Sequence, residues 1–326
     1  MERFYKFTVP EIKTKERIDK YITRFVENAS RTKVQKAINL GNVLVNGELV
    51  KSNYLLKPED EIEIELSVPD KQDVLPEDIP LDIIFEDEYL LIVNKPAGMV
   101  THPAYKNYSG TLVNALMFYS MKSRGSLSDL NGFERAGIVH RLDKDTSGIL
   151  VVAKDEVTHR KLADQFFKHT IDREYRAIVW GKFKNKEGII ENKISRDKKD
   201  RKKMAVTHSE EEGKLAITEY KVIEEYDFLS LVNLKLRTGR THQIRVHLSS
   251  AGHPVFGDEM YGGRVPHSVN LTSGMKLQIK NLLEQMPRQA LHARLLSFIH
   301  PHTKQKLEFT SGLPEDMTSI IEKVKN

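Results

Sequence analysis

The chain has 326 residues, 39% apolar and 30% charged, with a formal net charge of +5 and no cysteine. That length allows about two domains with a sizeable core, while the missing thiols exclude disulfides, cysteine-held zinc or iron–sulfur sites and cysteine nucleophiles. No run of 18 apolar residues and no signal-peptide pattern at Met1 is present, so a cytoplasmic protein without a membrane partner is expected.

Over residues 14–30, Ile18, Tyr21, Ile22 and Phe25 recur at i, i+3, i+4 and i+7, which predicts one face of an amphipathic helix. Lys15, Arg17, Lys20 and Arg24 fall between them. Ser30 is a candidate N-cap for a second helix carrying Val34, Ala37 and Ile38 and ending at Gly41. Residues 43–50 read as two short strands around Asn46-Gly47, the strongest hairpin signal, and residues 61–66 alternate strictly. Residues 67–80 hold three prolines and four acidic residues without an apolar period and read as a linker.

Beyond the linker, residues 83–85 and 89–93 read as strands around the turn Glu86-Asp87-Glu88, closed by Asn94-Lys95-Pro96-Ala97-Gly98. A helix is predicted over 111–119, a polar loop over 125–132 and a strand over 149–153. Residues 156–170 show helical spacing in Leu162, Phe166 and Phe167. A strand over 173–181 follows, then a hairpin with arms at 217–222 and 229–236. From Thr241 a helix with Ile244, His247 and Leu248 on one face ends at Gly252. Strands interspersed with helices and hairpins imply an α+β fold with a mixed, mostly antiparallel sheet.

The densest basic run, residues 193–203, holds seven basic residues against two acidic ones. It reads as either a solvated loop or a phosphate-contacting one, the latter offering Arg196, Arg201 and Lys202. The stretch Gly137-Ile138-Val139-His140-Arg141-Leu142-Asp143-Lys144-Asp145-Thr146-Ser147-Gly148 packs five ionisable side chains between glycines, ahead of an apolar strand. That is the pattern of an active-site loop on a sheet edge, or of a charged surface turn. The histidines His140, His242, His247 and His253 do not make a metal site by spacing: His242 and His247 are five apart and no acidic partner repeats with them.

Arg17-Ile18-Asp19-Lys20-Tyr21-Ile22, Ser30 to Lys36 and Gly41-Asn42-Val43-Leu44-Val45-Asn46-Gly47 together resemble the S4 RNA-binding domain over residues 15–66. A purely structural helical hairpin is the alternative. The remainder, from about residue 81 to 315, resembles the RluA/RluD-type RNA pseudouridine synthases. The likeness is carried by Val93-Asn94-Lys95-Pro96-Ala97-Gly98, His140-Arg141-Leu142-Asp143, the strand with Tyr175, Arg237-Thr238-Gly239-Arg240-Thr241-His242-Gln243-Ile244-Arg245, Gly257-Asp258 and Leu291-His292-Ala293-Arg294. This subgroup includes large-subunit ribosomal RNA synthases.

The resemblance implies isomerisation of uridine to pseudouridine, which needs no cofactor, metal or energy source. It makes Asp143 the catalytic carboxylate and demotes Asp145. It places Arg245 as the cation that keeps a carboxylate charged beside a nucleobase and Tyr175 against the base. It also implies RNA contacts by Arg17, Lys20, Arg31, Lys33 and Lys36 of the first module and by His140, Arg141, Arg240 and His242 of the second. A duplexed target base must be flipped out first, at roughly a few kcal/mol. A transfer-RNA substrate and a non-catalytic, RNA-binding ribosome-assembly factor are the rival expectations; a monomer is expected.

Overall fold

The computed structural model describes residues 2–325 apart from 12–15, 27, 28, 30, 68–73, 105, 106, 124, 133, 134, 208, 210 and 267–270. The expected N-cap Ser30 and part of the 67–80 stretch lie outside the described residues. The chain divides into two compact units, Met1–Asp73 and Val74–Asn326. No helix among the described residues is long and apolar enough to cross a membrane.

The first unit pairs β1 (Glu2–Thr8) with β4 (Glu61–Ser67), and β4 with β2 (Val43–Val45), which turns through Asn46-Gly47 into β3 (Glu48–Leu49). Both turn residues have positive φ, at 53° and 80°, as this tight hairpin demands. Two helices, α1 (Ile18–Phe25) and α2 (Arg31–Asn39), supply the rest. Ile18, Tyr21 and Ile22 meet Val34, Ala37, Ile38, Ile62 and Ile64 in one core. Phe25, the fourth residue of the expected stripe, is 59% exposed; the stripe runs past this small core at the helix end, and Val26 is buried instead. Asp19 is buried between the helices. Burial opposes its charge, but hydrogen bonds from Gln35 (2.6 Å), Arg17 (2.9 and 3.1 Å) and Arg31 (2.9 Å) prevail and hold its pKa at about 2.

The second unit is α+β. Its strands are β5 (Ile83–Glu86), β6 (Leu90–Lys95), β7 (Ser147–Ala153), β8 (Asp172–Trp180), β9 (Glu187–Arg196), β10 (Met204–Thr207), β11 (Lys214–Glu225), β12 (Leu229–Leu236), β13 (Leu291–Ile299) and β14 (Lys306–Thr310). They join in the order β10-β9-β11-β12-β8-β13-β7-β6-β5, with β14 on β13. Among the described residues these strands pair antiparallel except β7 with β13. Its helices are α3 (Leu112–Ser123), α4 (Glu156–Phe167), α5 (Gln243–Ser250), α6 (Ser273–Gln285) and α7 (Glu315–Lys325).

Strand β7 is buried along its whole length, which is why residues 149–153 read as an unbroken apolar run rather than an alternating one. Leu150 and Val152 join the larger core with α3, α5 and α7, while Ile149 and Val151 face a second core with Leu162 of α4. Helix α4 corrects one expectation. Phe166 packs on that second core, but Phe167 is 83% exposed. Five residues from Leu162 advance the helix by about 500°, so Phe167 points about 140° away from the buried face.

The basic run 193–203 is less of a loop than expected. Lys193 and Arg196 belong to β9, and the turn into β10 is closed by Asp197, which accepts the amides of Lys199 and Asp200 at 2.7 and 2.8 Å. Of the proline-rich stretch, residues 74–80 lie along α3: the Asn114 side chain donates to the Leu75 carbonyl (2.7 Å), and Glu77 accepts the Gly110 amide (3.0 Å).

Gly148 sits where β7 meets β13, with φ +120°, and a Cβ there would lie 2.2 Å from the Ala293 carbonyl oxygen. Neither backbone can retreat without losing the pairing. Gly148→Ala is expected to cost about 3 kcal/mol, a fall in Tm of roughly 6–12 °C; an unchanged melting curve would refute this packing.

Candidate active site

The loop that enters β7 is fastened by side chains from distant parts of the second unit. The Thr101 hydroxyl donates to the Leu142 carbonyl (2.9 Å) and accepts the Leu142 amide (3.3 Å). Lys95, fully buried at the end of β6, donates to the carbonyls of Pro96 and Met99 (2.8 Å each) and of Lys144 (3.1 Å). Burial brings its pKa down to about 7, with the nearby Asp145 and Asp143 carboxylates opposing the fall. Arg288 donates to the Asp145 carbonyl (3.0 Å) while its other edge grips Asp316 of α7 at 2.7 and 2.8 Å. Asp145 thus contributes its backbone to the loop's anchoring.

The side chain these anchors present is Asp143. Its Oδ2 lies 3.1 Å from Nη1 of Arg245 and 3.8 Å from Nε2 of His242, and its Oδ1 has no hydrogen-bond partner among the described residues. Arg245 projects from the first turn of α5. Its opposite edge is held by Asp258, which receives Nε at 2.6 Å and Nη2 at 2.9 Å. Asp258 is completely buried and also accepts the amides of Met260 and Tyr261. Burial works against the Arg245 charge, but the Asp258 and Asp143 carboxylates outweigh it and its pKa is raised. The bidentate grip fixes the plane of the guanidinium and so the direction of Nη1. Arg245 also lies over the Tyr261 ring, 4.9 Å from its centre.

Tyr175 enters from β8. In the sheet it pairs with Leu234 on one side and Ala293 on the other, and Ala293 pairs with Gly148 of β7. The row brings the tyrosine beside the loop. Burial, with a contribution from Asp143, raises its pKa, so at neutral pH it is a phenol and not a phenolate. Asp143, Tyr175 and Arg245 line one cavity together with Arg141, His242, Leu236, Ile244 and Leu291: an apolar floor, a ring face and a carboxylate paired with a cation. Such a site holds a flat, partly polar group against an ionised oxygen.

The expected RNA-contacting residues fall into four places. Arg141 is exposed at the cavity mouth; Arg240 and His242 line the same cavity. His242 is the left-handed residue ahead of α5 and meets the Tyr261 hydroxyl at 2.8 Å; burial lowers its pKa against the pull of Asp143. His140 is turned inward, accepting the Val151 amide (3.1 Å) and stacked 4.5 Å from Phe166, and burial drops its pKa to about 3. Arg196, Arg201 and Lys202 lie on the β9–β10 hairpin, with Arg196 donating to the Arg201 carbonyl (2.9 Å). In the first unit, Arg17 and Arg31 are drawn onto Asp19, while Lys20, Lys33 and Lys36 are exposed. Asp258 is the site residue for which sequence reading had named no role. Its only signal was the Gly257-Asp258 pair, because the arginine it grips lies on the helix before that turn.

This sheet and this carboxylate–arginine site, preceded by a small helical module, define a class. The RNA pseudouridylate synthase family model matches residues 89–250, and the S4 domain model matches residues 16–62. An uncharacterized RNA pseudouridine synthase of Chlorobaculum parvum is 46% identical over 97% of this chain and 96% of its own length. Ribosomal large subunit pseudouridine synthase D of Zymomonas mobilis is 43% identical over 94% of this chain and 92% of its own. Among solved structures, human RNA pseudouridylate synthase domain containing 4 aligns with a TM-score of 0.57 at 25% identity, covering 74% of this chain and 92% of that one. The chain belongs to the RluA-type RNA pseudouridine synthases and carries an N-terminal S4 domain.

Proposed function

We propose that the protein converts specific uridines of large-subunit ribosomal RNA to pseudouridine, with Asp143 as the catalytic carboxylate. The observation that carries the chemistry is the 3.1 Å contact between Arg245 and Asp143 beside the Tyr175 ring, in a cavity bounded by apolar side chains. The reaction exchanges the C1′–N1 bond for a C1′–C5 bond; the C5 proton leaves and N1 gains one, so no redox partner is called for. Arg245 pairs with Asp143 and aims it, Tyr175 lies against the uracil, and Leu236 and Leu291 exclude water from its faces. In this reading the S4 core of residues 15–66 adds RNA affinity, residues 67–80 connect, and the domain from about residue 81 to 315 performs the chemistry, with Arg141, Arg240 and His242 meeting the RNA around the target.

The choice of ribosomal RNA is supported by relatives named ribosomal large subunit pseudouridine synthase D in Zymomonas mobilis, Pseudomonas aeruginosa and Vibrio parahaemolyticus, at 43%, 38% and 37% identity. Mapping pseudouridine in RNA from cells with and without the gene tests it. The expected result is loss of one or a few sites in large-subunit ribosomal RNA alone. Loss confined to transfer RNA would overturn the substrate, and no loss in any RNA would overturn the activity.

A further inference from the structure

A target base must enter the cavity around Asp143, yet RNA is a continuous strand, and the nucleotides beside the target must cross the cavity rim. On one side that rim is the end of α4 and the start of β8. Phe166, Phe167, His169 and Arg173 line a groove of about 470 Å³ that is continuous with the reaction cavity through Asp143, Tyr175 and His242. Phe167 is the last residue of α4 and, at 83%, the most exposed large apolar side chain among the described residues. Folding has no use for it there, because Phe166 already covers the core, sandwiched by His140 at 4.5 Å and Arg173 at 5.6 Å.

Arg173 lies deeper in the groove. Its guanidinium is pressed against Gly239, where even an added methyl group would come within 2.8 Å of Nη1. Its buried Nε has no hydrogen-bond partner among the described residues, and no carboxylate among them forms an ion pair with this arginine. A cation without a counter-charge, sharing one groove with an aromatic ring held out in water, is the combination that single-stranded nucleic acid recognises: a π-face for a base and a positive charge for its phosphate.

We propose that this rim is a subsite for a nucleotide adjoining the target uridine, whose unstacked base lies on Phe167 and whose phosphate meets Arg173. The inference rests on the reading that the protein acts on a uridine in RNA. Phe167 is then a specificity-determining residue that selects targets whose neighbour is unpaired, and it does so without regard to which base stands there, since every base offers a π-face.

The test uses the full-length protein and a stem-loop RNA carrying the uridine found by mapping, plus versions with a single abasic nucleotide at each of the two positions on either side. On the intact RNA, Phe167→Ala is expected to raise KM about tenfold, with Phe167→Trp restoring it and kcat carrying little of the loss. On the one abasic RNA that lacks the stacked base, wild type and Phe167→Ala should have the same KM, because protein and RNA have lost the same contact. Arg173→Gln should lower the slope of log KM against log salt by about one. An equal penalty for Phe167→Ala on every abasic RNA would assign the ring a structural role and overturn the subsite, as would an unchanged KM on the intact RNA. Mapping that finds no pseudouridine lost overturns the functional reading beneath it, whereas wild-type turnover without an effect at Phe167 overturns the subsite alone.

Discussion

Asp143→Asn is expected to cut pseudouridine formation by at least about 10⁴-fold while leaving RNA affinity within about threefold. The substitution is isosteric and its oxygen still accepts from Arg245, so neither the loop nor the cavity need change. Thr101 continues to hold Leu142, Lys95 continues to hold Lys144, and the Thr146 amide continues to meet the carbonyl of residue 143. What disappears is the negative charge on the atom facing the nucleotide, and an amide is too weak a nucleophile or base to replace it. Tritium release from RNA labelled at uridine C5 measures the first quantity and a filter-binding titration the second. A variant with wild-type turnover would remove Asp143 from the reaction.

Arg245→Met carries the second-largest effect, and it divides into two measurable parts. Turnover should fall by about 10²–10³-fold, since the fixed donor to Asp143 is lost. Stability should fall by about 3–5 kcal/mol, because Asp258, with no exposed side-chain surface, keeps its charge and loses its bidentate partner. Adding Asp258→Asn to that variant removes the stranded charge and should recover much of the stability but none of the turnover. Denaturant melts and tritium release read the two parts separately. If the double variant regains activity, or the single one keeps it, Arg245 does not act on Asp143.

The parts of this site that the sequence made legible are those whose neighbours along the chain carry the signal. His140-Arg141-Leu142-Asp143 ends in a buried strand, Arg245 follows a recognisable helix start, and the pairing of the two lay in the family resemblance, which the contact between them matches. Helices α1, α2, α4 and α5 and the Asn46-Gly47 hairpin were legible because short-range periodicity and turn chemistry decide them. Strand β9 was not: residues 187–192 alternate between exposed and half-buried and Ile194 is its one buried residue, leaving little apolar contrast to read. Helices α6 and α7 are different. Met317, Ile320 and Ile321 recur at i, i+3 and i+4 and are buried, so a helical signal is present in the sequence there. The parallel contact of β7 with β13, and the grip of Asp258 on Arg245, were out of reach because nothing local states which distant segment a strand or carboxylate will meet.

The anchoring of the Asp143 loop has a temporal side. Strand β7 leaves the ribosome well before β13, its parallel neighbour, and the loop's clamp Arg288 is made just ahead of β13, with Asp316 of α7 later still. A nascent chain can pair β6 with β7 early, but its carboxylate stays unaimed until nearly the whole second unit has been translated. Such long-range closure slows folding, and it means that a half-made copy of this protein, even one that already holds RNA through its first unit, modifies nothing.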